Sequence, residues 1–332
     1  MTTALITGVA GQDGIYLARH LRRLGHRVIG TVSSRARSAP AVAAYLRDVT
    51  VYEIDMRQSE ALGVLIDRDR PDEIYNLASW SSVGRSWGAV EQVTAINGLA
   101  VLGLLEQVRR LRDRDGYDPR ICQASSSEMF GLSRELPQTE DSPHHPRSPY
   151  AVSKSFAHHT AVNYRESYGM FVAVAILFNH ESPLRPDSFV TRKITKAAAA
   201  ISLGRQEELR LGLLDIRRDW GSAADYVVAI HAVLQHERPE NFVIATGESR
   251  SLNDFIGRAF LTAGVPHYQQ RVVSDRELFR PADVPETRGD ASKARDVLGW
   301  KPAISFPDLV DRMVSADLAR LRSGVENSLD YL

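Results

Sequence analysis

The chain has 332 residues, 41 basic and 41 acidic side chains, and a formal net charge of +0. That balance provides no global field to recruit nucleic acid or an anionic membrane, so any phosphate binding must rest on local arginines. The longest apolar stretches are strand-length, and the N-terminus enters a buried-strand pattern without the charged and apolar regions of a signal peptide. A cytoplasmic protein with no membrane span is expected.

Residues 4–7, 28–32, 51–54, 73–77 and 120–124 read as strands, with helix-like segments near 16–24, 59–67 and 93–112 between them. This alternation predicts a parallel sheet with helices on both faces. Two further buried strands are expected at 171–178 and 242–245. The fold class is therefore α/β: a Rossmann-type doubly wound parallel sheet with a smaller C-terminal substrate-binding lobe. The nucleotide-binding domain is placed at 1–178 with a return at 222–246, and the lobe at 179–221 plus 247–332. The tail, 324–332, is expected to fray. Cys122 is the single cysteine and lies in an apolar run, which excludes an intrachain disulfide and points to an inert buried thiol.

The stretch Leu5-Ile6-Thr7-Gly8-Val9-Ala10-Gly11-Gln12-Asp13-Gly14 passes from the first strand into the first helix. Gly8, Gly11 and Gly14 allow a tight turn, close approach of a pyrophosphate and close helix packing. An NAD-specific site usually carries an acidic residue at the end of the second strand, but this chain reads Thr31-Val32-Ser33-Ser34-Arg35-Ala36-Arg37. Ser33, Ser34 and Arg35 can bind a 2′-phosphate, so NADP is the expected cofactor. Asp55 follows the third strand, where it could accept from an adenine amino group or cap the helix beginning near Ser59.

Ser126 and Glu128 lie in Ser125-Ser126-Ser127-Glu128-Met129-Phe130-Gly131, and Tyr150 and Lys154 in Ser148-Pro149-Tyr150-Ala151-Val152-Ser153-Lys154. A serine, a tyrosine and a lysine four residues further on can take a proton from an alcohol while a nicotinamide takes the hydride. Tyrosine must shift by about three pKa units to act as a base at neutral pH, roughly 4 kcal/mol, and a nearby cation can supply this. Simple alcohol oxidation has no use for the extra carboxylate of Glu128, whereas loss of water beside a new ketone does. These residues suggest a dehydratase built on a dehydrogenase, with no metal ion in its site. Retention of all four argues against a scaffold that merely binds NADP.

With these motifs the chain resembles the GDP-mannose 4,6-dehydratase family of extended short-chain dehydrogenase/reductases. The likeness runs over nearly the whole length and includes Pro71-Asp72-Glu73-Ile74-Tyr75-Asn76-Leu77-Ala78, residues 162–171, Arg218-Asp219-Trp220-Gly221 and residues 289–300. It implies that Ser126, where the family commonly has threonine, orders the sugar 4-hydroxyl. Tyr150 then removes its proton as hydride passes from C4 to NADP⁺, and Glu128 takes the C5 proton and helps the C6 hydroxyl leave. The hydride finally returns to C6.

The resemblance also sets Gln12, Asp13, Met56, Leu77, Ala78, Ser79, Ser81, His180 and Arg185 along the cofactor. Ser81, Asn179, Lys193, Arg218, Arg280 and Asp283 would contact a GDP-sugar, with Arg218 and Arg280 the strongest choices because a planar guanidinium fork suits a diphosphate.

Several positions depart from the family pattern. Ser79-Trp80-Ser81-Ser82 replaces the usual Ala-Gln-Ser-His, and residues 81–87 resemble the related GDP-4-keto-6-deoxymannose reductases. Leu213 replaces an asparagine, Asp283 stands for a glutamate, and Arg185 has lost its usual arginine neighbour. A keto-sugar reductase, or a dehydratase of another nucleotide sugar, is therefore the alternative. Val93, Ile96, Leu99, Leu104 and Val108 put apolar residues on more than one face of their helix, and a second helix carries Ala157, Ala161 and Tyr164. The resemblance implies that these helices form a four-helix bundle between subunits of a homodimer or homotetramer, and burial in the chain's own core is the alternative. The resemblance gives the loop 33–43 a role in reaching a neighbouring cofactor in tetramers.

Overall fold

A computed structural model describes residues 1–34, 44–133, 135–279 and 281–332. Seven strands form one parallel sheet: β1 (Thr3–Thr7), β2 (Arg27–Val32), β3 (Thr50–Glu53), β4 (Glu73–Asn76), β5 (Arg120–Ser126), β6 (Val172–Leu177) and, after an intervening lobe segment, β10 (Asn241–Ile244). Their spatial order is β10-β6-β5-β4-β1-β2-β3. The direction of winding thus reverses between β1 and β4, the place where doubly wound sheets open a crevice at their carboxyl edge. This is the expected architecture.

The sheet strands are apolar because both faces are covered. One face packs Leu17, Leu21, Tyr226 and Ile230, and the other packs Leu62, Ile66, Leu104, Val108 and Ala157. The helix Pro149–Tyr168 begins where its sequence demands: Ser148 Oγ accepts from Ala151 N at 3.1 Å, proline occupies the first turn, and Gly169 ends it at φ 63°. The segment expected as one helix over 93–112 is instead Val90–Thr94, a π-helical turn Ala95–Leu99 and Ala100–Asp115. The widened turn sets Asn97 into the interior, 1% exposed.

A second group of strands follows: β7 (Asn179–Glu181), β8 (Leu209–Leu211), β9 (Arg217–Ser222), β11 (Ser249–Ser251) and β12 (Val272–Ser274). They form a three-stranded sheet, β11-β9-β7, and a parallel pair, β12-β8. The helices Val190–Ser202, Leu252–Thr262 and Phe306–Ser323 pack over them around Trp220, Phe255, Phe260 and Met313. Within this lobe Asp317 Oδ1 lies 2.7 Å from Arg192 Nη2 and 3.1 Å from Arg320 Nη1, and both arginines donate to Pro183 O. A buried charge cluster with its donors satisfied in this way fixes the turn that presents Arg185.

The tail does not fray in this structure. Tyr331 is 9% exposed, with the Arg320 guanidinium 4.4 Å from its ring centroid, and Ser328 N donates to Tyr45 OH at 3.1 Å. An aromatic anchor with a polar end outweighs the ordering cost of a short terminal segment. Among the described residues, no helix is long and apolar enough to cross a membrane.

Candidate active site

A cavity of about 1050 Å³ runs along the carboxyl edge of the large sheet and beneath the second lobe. Such a volume lies at the upper end of small-molecule sites. Gly8, Gly11 and Gly14 line it at the start of the helix Gln12–Arg23. Gly8 has φ 69°, and a Cβ there would stand 2.8 Å from Ala78 Cα; at Gly14 it would stand 2.6 Å from Gly8 O. Any side chain would therefore break the turn or push the helix off β1. No side chain caps this helix, so its first amides remain available for an anion.

Gln12 and Asp13 tie this turn to the second lobe. Gln12 Nε2 donates to His180 O at 3.1 Å, and Ser182 Oγ donates to Gln12 Oε1 at 2.8 Å. Asp13 Oδ2 pairs with His180 Nε2 at 2.9 Å, while His180 Nδ1 lies 2.7 Å from Phe178 O and the ring stacks on Tyr226 at 4.7 Å. Burial opposes the His180 charge, but the Asp13 carboxylate outweighs it and raises the histidine above its ordinary 6.5. For Asp13, burial is likewise overcome by His180, which holds the carboxyl at about 2.

Ser33, Asp55, Met56, Leu77, Ala78, Ser79 and Ser81 also line the cavity. Ser34 is exposed and stands outside the lining, and Arg35 lies outside the described residues. Asp55 does not cap the following helix, whose N-cap is Gln58. Its carboxylate instead accepts from Arg57 N, Nε and Nη2 at 3.0, 2.9 and 2.6 Å, and those bonds lower its pKa. A carboxylate that has two oxygens still retains acceptor capacity toward the cavity.

The catalytic candidates converge. Ser126 ends β5, where its Oγ accepts from Glu128 N at 3.3 Å and starts the 3₁₀ turn Ser127–Met129. Glu128 is half-buried and lines the cavity, and its carboxylate takes no hydrogen bond from any described residue. Tyr150 opens the helix Pro149–Tyr168, and Lys154 follows one turn later on the same face. Lys154 Nζ donates to Ala124 O at 2.7 Å. Burial raises the Tyr150 phenol to about 12, against the pull of Ser126 and with a further push from the Glu128 charge. Burial lowers Lys154 to about 8, with Asp13 opposing. At neutral pH the lysine is thus charged and the tyrosine protonated.

Sequence reasoning missed the polar chain that places this lysine. Thr7 Oγ1 donates to Asn76 Oδ1 at 2.7 Å, Asn76 Nδ2 to Gln123 Oε1 at 2.7 Å, and Gln123 Nε2 to Ala124 O at 2.9 Å. Thr7 and Asn76 end β1 and β4, and Gln123 lies in β5 beside Asn76; polar side chains within otherwise apolar strands were the available signal. Asn97 was missed too. Its Oδ1 accepts from Ser79 Oγ at 3.1 Å and Trp80 N at 2.8 Å, and its Nδ2 donates to Trp80 O at 3.1 Å and Ser153 Oγ at 3.2 Å. One buried amide thus pins the divergent segment 79–82 to the catalytic helix. Trp80 lines the cavity, with its buried Nε1–H unpartnered among the described residues.

On the lobe side, Asn179, Lys193, Arg218 and Asp283 line the same cavity, whereas Arg280 lies outside the described residues. Asn179 Oδ1 is buried with no partner among the described residues, and Arg218 Nη1 donates to Arg217 O and Val284 O at 2.8 Å each. Lys193 is exposed and makes no ion pair with a described residue. Arg185 is held 3.0 Å from Glu181 Oε2 and stacks 3.7 Å above the Phe189 ring centroid. Leu213, in place of an asparagine, contributes an apolar wall.

A profile of the GDP-mannose 4,6 dehydratase family matches residues 5–313. The chain belongs to this family. A protein named GDP-mannose 4,6 dehydratase 2 from Arabidopsis thaliana is 44% identical over 324 residues, spanning 95% of this chain and 86% of its own. The GDP-mannose 4,6-dehydratase of Sinorhizobium fredii is 42% identical and covers 96% and 97% of the two chains. The human GDP-mannose 4,6 dehydratase is 39% identical, with 96% and 92% covered. Among solved structures, RMD from Pseudomonas aeruginosa complexed with NADPH superposes with a TM-score of 0.78 at 26% identity, covering 96% of this chain and 98% of its own. UDP-glucose 4-epimerase from Thermotoga maritima shares the fold of this dehydratase-family chain, with a TM-score of 0.84 at 22% identity over 97% and 99% of the chains.

Proposed function

We propose that this protein is a GDP-mannose 4,6-dehydratase that forms GDP-4-keto-6-deoxymannose and retains NADP as its nicotinamide cofactor. One observation carries the reading: Glu128, whose carboxylate takes no hydrogen bond from a described residue, shares a cavity with Ser126, Tyr150 and Lys154. Relatives named for this reaction, at 44% and 42% identity, support the substrate.

The turn at Gly8, Gly11 and Gly14 would hold the pyrophosphate, with Asp55 and Met56 near the adenine and Tyr150, Lys154 and His180 toward the nicotinamide end. Ser33 lines the cavity and residues 31–45 contain no carboxylate, a combination that suits a 2′-phosphate. The NADPH in the Pseudomonas aeruginosa structure supports the same choice. When bound, the nicotinamide supplies a hydride acceptor for C4 and a donor for C6.

The protein's own groups then divide the proton work. Ser126 orients the 4-hydroxyl, and Tyr150 takes that proton as the phenolate, after giving up its own proton; the charge on Lys154 favours that form. The C4 ketone acidifies C5–H, and Glu128 removes that proton and passes one to the departing C6 hydroxyl; once C6 has received hydride, C5 is reprotonated to give the 4-keto-6-deoxy product. Arg218, Lys193 and Asn179 would bind the nucleotide diphosphate. The two-part division at 1–178 plus 222–246 and 179–221 plus 247–332 fits this assignment of cofactor and substrate sides.

Assembly as a homo-oligomer is supported by an apolar surface. Val93, Leu104, Val108, Ala157 and Ala161, expected to contribute to it, are 0% exposed and belong to the chain's own core, as does Tyr164 at 7%. Leu99, Val152, Phe156 and Tyr168 remain 56%, 56%, 45% and 48% exposed on the same two helices.

A reductase reading draws support from the segment 81–87. Mass spectrometry after incubation with GDP-mannose decides between them. A dehydratase yields a product lighter by one water without consuming added NADPH, whereas a reductase leaves GDP-mannose untouched and oxidises NADPH when given the keto sugar.

A further inference from the structure

We propose that His26, Glu73 and His231 bind a single divalent transition-metal ion of the zinc class, at the amino edge of the large sheet and away from the dehydratase cavity. His26 precedes β2, Glu73 opens β4, and His231 lies in the helix Ala223–Gln235. One ligand atom from each falls within 4.8 Å of the others, and no other group of this kind occurs among the described residues. Two imidazoles and a carboxylate form a ligand set suited to zinc, nickel, cobalt or copper ions rather than magnesium or calcium.

The His26 ring gives the strongest indication. Among the described residues its Nδ1 is buried without a hydrogen-bond partner, and its Nε2 stands 3.6 Å from Glu73 Oε2, beyond hydrogen-bond length. A histidine with only 13% of its side chain exposed, whose Nε2 faces a carboxylate oxygen without a hydrogen bond to any described residue, needs an explanation. Two ligands each about 2.1 Å from one tetrahedral ion are roughly 3.4 Å apart, so the 3.6 Å His26–Glu73 separation already approaches a coordinating geometry. His231 offers its ligand atom within 4.8 Å of the other two.

The surrounding groups orient the ligands. Glu73 Oε2 accepts from Tyr75 OH and Oε1 from Gln235 Nε2, each at 2.7 Å, which leaves one lone pair on each oxygen. His20 Nε2 lies 3.4 Å from His231 Nδ1, so His231 is held to present its other nitrogen. His20, His26 and His231 are each partly exposed, which gives an ion a path in.

The test uses the full chain after chelation, titrated with Zn²⁺ and separately with Co²⁺ as a spectroscopic probe. One ion per chain, visible Co²⁺ bands of a low-symmetry site and a raised unfolding temperature are expected. His26→Gln and His231→Gln should each weaken binding at least tenfold, and Gln235→Ala, which keeps all three ligands, should weaken it by roughly tenfold. Circular dichroism shows that the variants are folded. Absence of one-to-one binding overturns the proposal, as does unchanged affinity in the folded His26 and His231 variants.

Discussion

Asp13 Oδ2 lies 2.9 Å from His180 Nε2, so the glycine-rich turn and the first strand of the lobe are joined by an ion pair at the mouth of the cofactor cavity. Asp13 falls from 3.8 to about 2 on folding, so its contribution is present above pH 3.8 and lost as pH drops toward 2. His180 is raised above 6.5, so its contribution is full below that pH and lost as pH climbs through the folded value. Asp13→Asn should therefore cost most near pH 5, on the order of 1–2 kcal/mol, and less at pH 8.5. Urea unfolding of both proteins at the two pH values checks this, and an equal cost at both would remove the pair from the stability balance.

Glu128→Gln should bind cofactor and GDP-mannose as before but lose water elimination by about 10²–10⁴-fold, the usual range for a general acid–base group. Trapped 4-keto sugar with reduced cofactor should appear in a single turnover. Unchanged product formation would assign the C5 proton to another group.

Tyr150→Phe should abolish reduction of the bound cofactor on mixing with GDP-mannose, read as missing absorbance of the reduced nicotinamide. In the wild-type protein the phenol starts at about 12, so the rate of this first step should rise with pH through the alkaline range. Lys154→Met should slow it further at every pH, because the charge that favours the phenolate is gone.

Asn97→Ala removes a side chain that makes four hydrogen bonds and leaves buried partners behind. We expect about 1–3 kcal/mol of lost stability for an unsatisfied buried group and a lower kcat as the segment carrying Ser79 and Trp80 loosens. Thermal unfolding and steady-state kinetics report the two effects separately.

Phe156→Asp places a carboxylate one helical turn from Val152, on a face where the two side chains are 45% and 56% exposed. If the protein is a homo-oligomer through this face, the variant should elute as a monomer in size-exclusion chromatography while keeping its fold. An unchanged elution volume would locate the contact elsewhere.

Strands were legible because burial on both faces writes continuous apolar runs; β6, read as 171–178, is Val172–Leu177. The glycine turn and the Tyr150–Lys154 spacing were legible because each demands a residue type at a fixed interval. Asn97 was not, since an asparagine in an apolar helix looks like a tolerated exception until the π-helical turn shows which way it faces. The Gln12–His180 and Asp13–His180 bonds, at sequence separations of 168 and 167, depend on how two lobes meet, and no local pattern encodes that. Of the residues expected on an oligomer face, Val93, Leu104, Val108, Ala157 and Ala161 turn into the chain's own core, because an apolar stripe does not say which of its sides turns inward.

The buried thiol has a practical consequence. Cys122 is 0% exposed and burial pushes it up to about 12, so alkylating reagents at neutral pH meet no reactive native sulfur. A cysteine introduced at exposed Asp187, which lines the cavity, would be the molecule's sole labelling point, and a fluorophore there could report nucleotide-sugar arrival without first mutating the wild-type background.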